Sequence, residues 1–159
     1  MSIEKVKAYF NEFGIAHKVL EFEVSSATVA LAAEALGCEE ARIAKTLSFA
    51  KDEGCILVVC AGDVKIDNPK FKAEFSMKAK MLPHDVVASL SGHAVGGVCP
   101  FAVNEGVKVY LDESLKRFET VFPAAGSSNS AIELTIEELE KYAKPEKWVD
   151  VCKLAISNE

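Results

Sequence analysis

The chain has 159 residues and a mass of 17.2 kDa, and we expect residues 1–159 to form a single domain. Half of the residues are hydrophobic and 26% are charged, a composition that excludes a mainly disordered chain. The uncharged stretches are too short or too broken to span a bilayer, and charged residues interrupt the first ten positions. The sequence therefore predicts a cytoplasmic protein with no membrane partner.

The net charge of −6 is unlike the basic surface that is common among nucleic-acid-binding domains, and we expect no DNA partner. The charge is uneven, however, because residues 65–80 hold five lysines against only Asp67 and Glu74. Such a cluster is either a solvated helix face or a small patch that contacts a few phosphates.

From the N-terminus, the predicted elements are a helix at 3–13, a strand at 17–22, a helix at 27–36, strands at 43–50 and 55–61, helices at 69–75 and 83–90, strands at 107–111, 119–122 and 131–134, and a helix at 135–142. Gly37 and Gly92 follow two of the helices and are typical helix ends. Thr135 and Glu138 form a capping-box pattern that begins the last helix. Several connections are too short for crossovers, so the sequence predicts an α/β (α+β) fold with a mixed, curved, barrel-like sheet surrounded by helices.

The five cysteines and three histidines show no spacing typical of a metal site or a redox pair. We therefore expect no metal and no cofactor, and we interpret most cysteines as reduced, small hydrophobic residues. Cys99 lies six residues after His93 in a glycine-rich loop, and a nucleophilic pair of these two residues is an alternative.

Lys45 interrupts the apolar pattern of its strand. Side chains alternate between the two faces of a strand, so Lys45 shares the more apolar face with Leu47 and Phe49. Lysine is rarely buried without a partner. Either this lysine lies at the end of the strand and extends to water, or its ammonium points into a cleft. In a cleft it could bind a phosphate or a developing oxyanion, or act as a desolvated nucleophile.

Two loops are rich in small residues. In residues 92–100 the adjacent Gly96 and Gly97 allow close approach of the backbone to a ligand, and Pro100 stiffens the exit. This loop has neither the Gly-Lys-Ser/Thr of a Walker loop nor the third glycine of a dinucleotide fingerprint. Residues 125–130 could line a pocket or hydrogen-bond a ribose, although a plain polar turn explains them equally well.

The order of motifs along the chain is specific, whereas each motif alone is weak. The motifs are Ala44-Lys45-Thr46-Leu47, Gly62-Asp63-Val64-Lys65-Ile66-Asp67, Gly96-Gly97-Val98-Cys99-Pro100-Phe101, Val109-Tyr110-Leu111-Asp112, and Gly126 leading into Ile132-Glu133-Leu134. This order resembles the YbaK/ProX family of aminoacyl-tRNA deacylases, which are similar to the editing insertion domain of bacterial prolyl-tRNA synthetases. The resemblance covers nearly the whole chain.

The resemblance implies a barrel-like mixed sheet and a free-standing trans-editing enzyme. Such an enzyme hydrolyses the ester of a small amino acid that is mischarged onto tRNA, with tRNA-Pro favoured and a synthetase as an additional partner. The vicinal ribose hydroxyl of the substrate would assist the attacking water. A non-catalytic tRNA- or nucleotide-binding module of the same fold is the alternative.

The resemblance also implies roles for individual residues. Lys45 would be catalytic and would hold the phosphate or sugar of the terminal adenosine, and main-chain amides at Gly96 and Gly97 would position the aminoacyl group. The implied substrate-binding set is Thr46, His93, Gly96, Gly97, Val98, Cys99, Pro100, Gly126, Ser127 and Ser128. The implied tRNA contacts are Lys65, Lys70, Lys72 and Lys78. The chain departs from many relatives at Ala102, where they have glycine, and at His93, where they often have tyrosine.

Overall fold

The computed structural model describes residues 2–94 and 96–155. The α-helices in this part of the chain are α1 (Ser2–Asn11), α2 (Val29–Leu36), α3 (Asn68–Phe75), α4 (His84–Ser91) and α5 (Ile136–Ala143). The strands are β1 (Leu20–Glu21), β2 (Ile43–Lys51), β3 (Gly54–Ala61), β4 (Val64–Ile66), β5 (Lys108–Asp112), β6 (Thr120–Pro123), β7 (Ser130–Ala131), β8 (Leu134–Thr135), β9 (Lys147–Val149) and β10 (Cys152–Leu154).

Six strands form the main sheet in the order β8-β6-β2-β3-β5-β9. The sheet is mixed, because β2 pairs antiparallel with β3 but parallel with β6, and β5 lies parallel to both β3 and β9. It is curled into a half-barrel that the helices surround. The predicted fold class, a mixed and curved sheet surrounded by helices, is therefore confirmed.

The β2–β3 hairpin is the centre of the sheet, as its two apolar runs predict. β3 is buried along almost its whole length, which is typical of a strand that is covered on both faces. On one side Phe49 packs against Phe71 of α3, with ring centroids 4.8 Å apart. Phe10 of α1 contacts Phe101 at the same centroid distance, so the glycine-rich loop ends in the core.

Several predicted helix ends are confirmed. Gly37 and Gly92 end α2 and α4 in the left-handed conformation, where glycine is favoured. The hydroxyl of Thr135 accepts the Glu138 N–H at 3.1 Å, and the Glu138 carboxylate accepts the Thr135 N–H at 2.9 Å. This capping box fixes the start of α5.

Other predicted elements were wrong in extent. The predicted strand at 17–22 is a short 3₁₀ turn, Ala16–Lys18, followed by two paired residues. The predicted strand at 131–134 is two separate pairs, because Ala131 pairs with Leu20 whereas Leu134 pairs with Val121. Sequence patterns did not predict β9 and β10, which add a parallel edge strand and a partner for β4. No described helix is long and apolar enough to cross a bilayer.

Candidate functional site

A cavity of about 360 Å³ lies between β2, α2, α4 and the segment that follows β6. Its walls are mainly apolar and contain no carboxylate or thiol among the described residues. The polar side chains around it belong to Ser26, Thr28, Lys45, Thr46, Ser48, His84 and Ser130. The apolar lining includes Val29, Ala32, Leu47, Met81, Leu82, Val87, Val98, Phe122, Ala124 and Ala131.

The cavity runs along an open edge of β2. Six consecutive residues, Ile43–Ser48, line it, and only the edge of a strand can present both faces to one cavity. The β2–β6 ladder ends at the Ala44–Pro123 pair. Farther along the same edge, the Ser48 carbonyl accepts the Leu82 N–H at 3.1 Å. Between these two contacts the sheet is open, and the cavity occupies the gap.

Lys45 is a partly buried residue at this gap. Its ammonium donates a hydrogen bond to the main-chain carbonyl of Val64, in the strand that follows the central hairpin. The Arg117 guanidinium, bonded to Asp63, lowers the pKa of that carboxyl, and the positive charge of Lys45 adds to the effect. The lysine is therefore held by a main-chain acceptor and does not simply extend to water, and its side chain forms part of the cavity wall.

The more apolar face of β2 is divided between the cavity and the core, because Leu47 lines the cavity. Phe49, on that face, packs in the core against Phe71 and does not line the cavity. The neighbour of Lys45 along the strand, Thr46, lines the cavity instead, and its Oγ1 is buried without a hydrogen-bond partner among the described residues.

Three loops meet beside the cavity. The Ser26 N–H donates to the Ser128 carbonyl at 2.6 Å, which joins the start of α2 to the loop after β6. A Cβ at Gly96 would lie 3.4 Å from both Ala27 and Ser128, so the glycine-rich loop packs against both. The predicted residues in these loops are therefore neighbours in space.

Gly97 packs where these loops meet and does not line the cavity. Its N–H donates to the Ala94 carbonyl at 2.9 Å, so this amide is already used within the loop. A Cβ at Gly97 would come within 2.8 Å of the Gly126 carbonyl carbon and 2.7 Å of the Ser127 nitrogen. Gly97 and Gly126 thus permit two loops to touch by their main chains.

His93 and Cys99 lie in the core behind the loop. His93 Nε2 is 2.7 Å from the Phe101 carbonyl oxygen and 3.6 Å from Cys99 Sγ. Cys99 is fully buried, and desolvation raises the pKa of its thiol to about 12. Neither residue lines the cavity, and the buried, high-pKa thiol disfavours a Cys99 nucleophile.

The predicted substrate-binding set therefore separates into two groups. Thr46, Gly96 and Val98 line the cavity together with Lys45, whereas Pro100, Gly126, Ser127 and Ser128 lie outside the lining. Sequence analysis missed the lining residues of α2 and α4, as well as Met81, whereas Ser130 belongs to the 125–130 loop that was expected to line a pocket. The only signal for the missed residues was position, because each lies next to a predicted loop or helix start.

A model of the aminoacyl-tRNA editing domain matches residues 23–142. The chain belongs to the aminoacyl-tRNA editing domain family. The match includes all four walls of the cavity, so the protein has a role in aminoacyl-tRNA editing and the predicted family is confirmed.

Two relatives show how far the likeness extends. The uncharacterized protein YwhH of Bacillus subtilis (strain 168) is 52% identical over 155 residues, which is 96% of this chain and 98% of that protein. A solved structure described as a candidate trans-editing enzyme for prolyl tRNA synthetase superposes with a TM-score of 0.85 at 29% identity. That match covers 96% of this chain and 97% of the other, so the editing domain has its neighbour's fold over nearly all its length.

The lysines of the 65–80 segment of the editing domain have different surroundings. Lys70 is bonded to Asp150 at 3.1 Å and to the Cys152 carbonyl at 3.2 Å. Lys72 and Lys78 line a second concavity of about 560 Å³ beside the start of α3. Lys65 is exposed on β4. The predicted patch therefore contains one lysine that is held in an ion pair and two that face a common concavity.

Proposed function

We propose that this protein is a free-standing trans-editing deacylase that hydrolyses the ester of a small amino acid mischarged onto tRNA, with tRNA-Pro the favoured acceptor. The observation that carries the proposal is the mainly apolar cavity with one anchored lysine, in a chain of the aminoacyl-tRNA editing domain family. The likeness to a candidate trans-editing enzyme for prolyl tRNA synthetase supports the choice of tRNA.

The size of the cavity suits a small acyl group. Ligand pockets usually span about 300–1,000 Å³, and this one, at about 360 Å³, lies near the lower limit. It has room for a small aminoacyl group and part of the attached ribose. A second site of this kind is useful because a synthetase pocket discriminates against a missing methylene by only about 1–3 kcal/mol.

The reaction is the attack of water on the ester carbonyl carbon. The bond between that carbon and the ribose oxygen breaks, the ribose oxygen takes a proton, and a free amino acid and uncharged tRNA leave. As the resemblance to the editing family implies, we assign activation of the water to the vicinal ribose hydroxyl of the substrate, and the described lining carries no carboxylate or thiol. Lys45 is the catalytic residue of the proposal, and its ammonium holds the phosphate or sugar of the terminal adenosine.

The acceptor end of tRNA supplies the remaining contacts. Lys72 and Lys78, with Lys65, are free to meet its phosphates in this proposal, whereas Lys70 would first have to leave Asp150. In this proposal the enzyme acts in the cytoplasm, where aminoacyl-tRNA takes part in translation. A synthetase is an additional partner, from which the mischarged tRNA is transferred.

The decisive experiment is single-turnover deacylation of Ala-tRNA-Pro, Cys-tRNA-Pro and matched correctly charged tRNAs by wild type and Lys45→Ala. Lys141→Ala, at an exposed lysine on α5, is the matched control. We expect hydrolysis of at least one mischarged tRNA, loss of hydrolysis in Lys45→Ala, and no change in the control. Binding of tRNA without hydrolysis would favour the non-catalytic module, and full activity in Lys45→Ala would contradict the role of that residue.

A further inference from the structure

The main chain of Thr46 is exposed to the cavity at the open edge of β2. In a strand, the N–H and C=O of one residue point to the same edge, and the next residue points to the other edge. The Ser48 carbonyl and the Ala50 N–H both bond to the 80–82 segment, so even-numbered residues of β2 face away from β3. Thr46 therefore directs its N–H and C=O toward the gap.

No described strand pairs with Thr46 on that edge. The parallel register with β6 includes Ile43–Phe122 and Ala44–Pro123 and then stops. The bridge between Phe49 and Met81 begins three residues later. Thr46 also has a buried, unpartnered Oγ1. Buried polar groups are normally hydrogen-bonded, so three polar groups of one residue are available to a bound molecule.

We propose that this strand edge recognises the α-amino acid part of the substrate, an inference that rests on the proposed function. An aminoacyl ester carries an α-ammonium donor and a carbonyl acceptor, separated by one carbon. This is the arrangement of one residue in an antiparallel strand pair. The Thr46 C=O accepts from the ammonium, and the Thr46 N–H donates to the ester carbonyl.

This recognition is independent of the identity of the amino acid. Strand addition at a sheet edge uses main-chain hydrogen bonds for affinity and side-chain pockets for selectivity. The substrate side chain would then project from the edge toward the apolar lining, which includes Leu47, Val98 and Ala131. The main chain of β2 thus selects the class of α-aminoacyl esters, and the cavity walls select among its members.

The N–H of Thr46 would also polarise the ester carbonyl. A main-chain N–H that is directed at a carbonyl oxygen stabilises the negative charge that develops when water attacks. Since this N–H is fixed by the pairing of β2 with β3 on its other edge, it needs no rearrangement to act. Thr46 would therefore contribute to rate as well as to binding.

The test compares three esters on the same tRNA: alanyl, lactyl and propionyl. The lactyl group replaces the ammonium by a hydroxyl of similar size, and the propionyl group removes it without adding bulk. Each rate is divided by the spontaneous hydrolysis rate of the same ester. We expect the propionyl ester to be cleaved roughly ten- to a hundredfold more slowly than the alanyl ester, the loss typical of a hydrogen bond to a charged group.

Thr46→Val separates the main chain from the side chain, because it removes the hydroxyl and keeps both main-chain groups. We expect the alanyl-to-propionyl rate ratio to survive in this variant. A ratio that collapses in Thr46→Val would assign recognition to the hydroxyl and overturn the inference. Equal normalised rates for all three esters in the wild type would also overturn it.

An NMR titration locates the contact directly. The probe is 3′-alanylamino-adenosine, in which an amide replaces the labile ester. We expect the Thr46 amide proton to shift downfield and exchange more slowly on binding, while the Val149 amide, in β9 at the far edge of the sheet, stays unchanged. An unshifted Thr46 amide at saturation would overturn the inference. If the wild type cleaves none of the esters, the proposed function fails instead, and the two failures are therefore distinguishable.

Discussion

The ammonium of Lys45 donates a hydrogen bond to the main-chain carbonyl of Val64, which ties the wall of the cavity to the strand after the central hairpin. This bond gives the lysine a structural task besides any chemical one. Because both tasks would be lost together in Lys45→Ala, activity alone cannot separate them. Stability and activity have to be measured on the same variants.

We expect Lys45→Met to lose deacylation while retaining most of its stability. Methionine keeps the length of the side chain but leaves the carbonyl of the buried Val64 without its donor, which costs about 1–3 kcal/mol. The expected fall in kcat/KM is roughly ten- to a hundredfold, the loss typical of a hydrogen bond to a charged group. Urea unfolding and single-turnover kinetics check the two effects. A loss of activity that merely follows a loss of folded protein would make Lys45 a structural residue.

Ala102 has a left-handed backbone conformation, with φ at +53°, at the position where many relatives have glycine. The left-handed region costs a residue with a Cβ about 1–2 kcal/mol, whereas glycine adds about 0.4–1 kcal/mol of unfolded-state entropy. We therefore expect Ala102→Gly to raise the free energy of unfolding by up to about 1 kcal/mol. The control is Ala50→Gly, in a strand, which should be destabilising. A lower free energy of unfolding in Ala102→Gly would show that the left-handed conformation of Ala102 does not destabilise the protein.

His93 is 1% exposed, and its Nδ1 has no hydrogen-bond partner among the described residues. Burial lowers the pKa of His93 from its ordinary value of 6.5, and the nearby charge of Lys5 acts in the same direction. The unfolded chain therefore binds a proton more readily, so stability is lost as pH falls below about 6.5.

We expect the wild type to lose up to about 1.4 kcal/mol per pH unit from this residue, since one proton is involved. His93→Gln should show a shallower dependence between pH 7.5 and 5.5, although it is less stable at pH 7.5. Urea midpoints at several pH values measure this difference. An identical pH slope in the two proteins would contradict the assignment to His93.

The sequence predicted those elements that depend only on residues close together in the chain. The hairpin of β2 and β3 was predictable because both strands are apolar and the turn between them is polar. The Thr135–Glu138 capping box was predictable because its two residues are only three positions apart. The pairing of β9 with β5 was not predictable, since Lys147–Val149 is too short to show a pattern and its partner strand lies about 40 residues away. Pairing between strands that are distant in the sequence depends on the arrangement of the whole sheet.

The candidate site was predictable at Lys45, because a lysine within an apolar strand conflicts with its surroundings. The position of the cavity was not predictable. It depends on where β6 leaves β2 after the Ala44–Pro123 pair, and on α2 and α4 covering the gap. For the same reason the burial of His93 and Cys99 was not predictable: a glycine-rich loop has one side toward the cavity and one toward the core, and sequence spacing does not distinguish them.

The lysines of the 65–80 segment should differ in their effect on tRNA binding. We expect Lys72→Glu and Lys78→Glu, at the second concavity, to weaken binding and to reduce the slope of log K against log salt by roughly 0.7–0.9 per lost contact. Lys70→Glu removes a lysine that already has Asp150 as its partner and should change the slope less. Filter binding or fluorescence anisotropy at several salt concentrations measures the slopes, with Lys141→Glu, an exposed lysine on α5, as the control. Equal slopes in all four variants and the wild type would exclude this face from the tRNA interface.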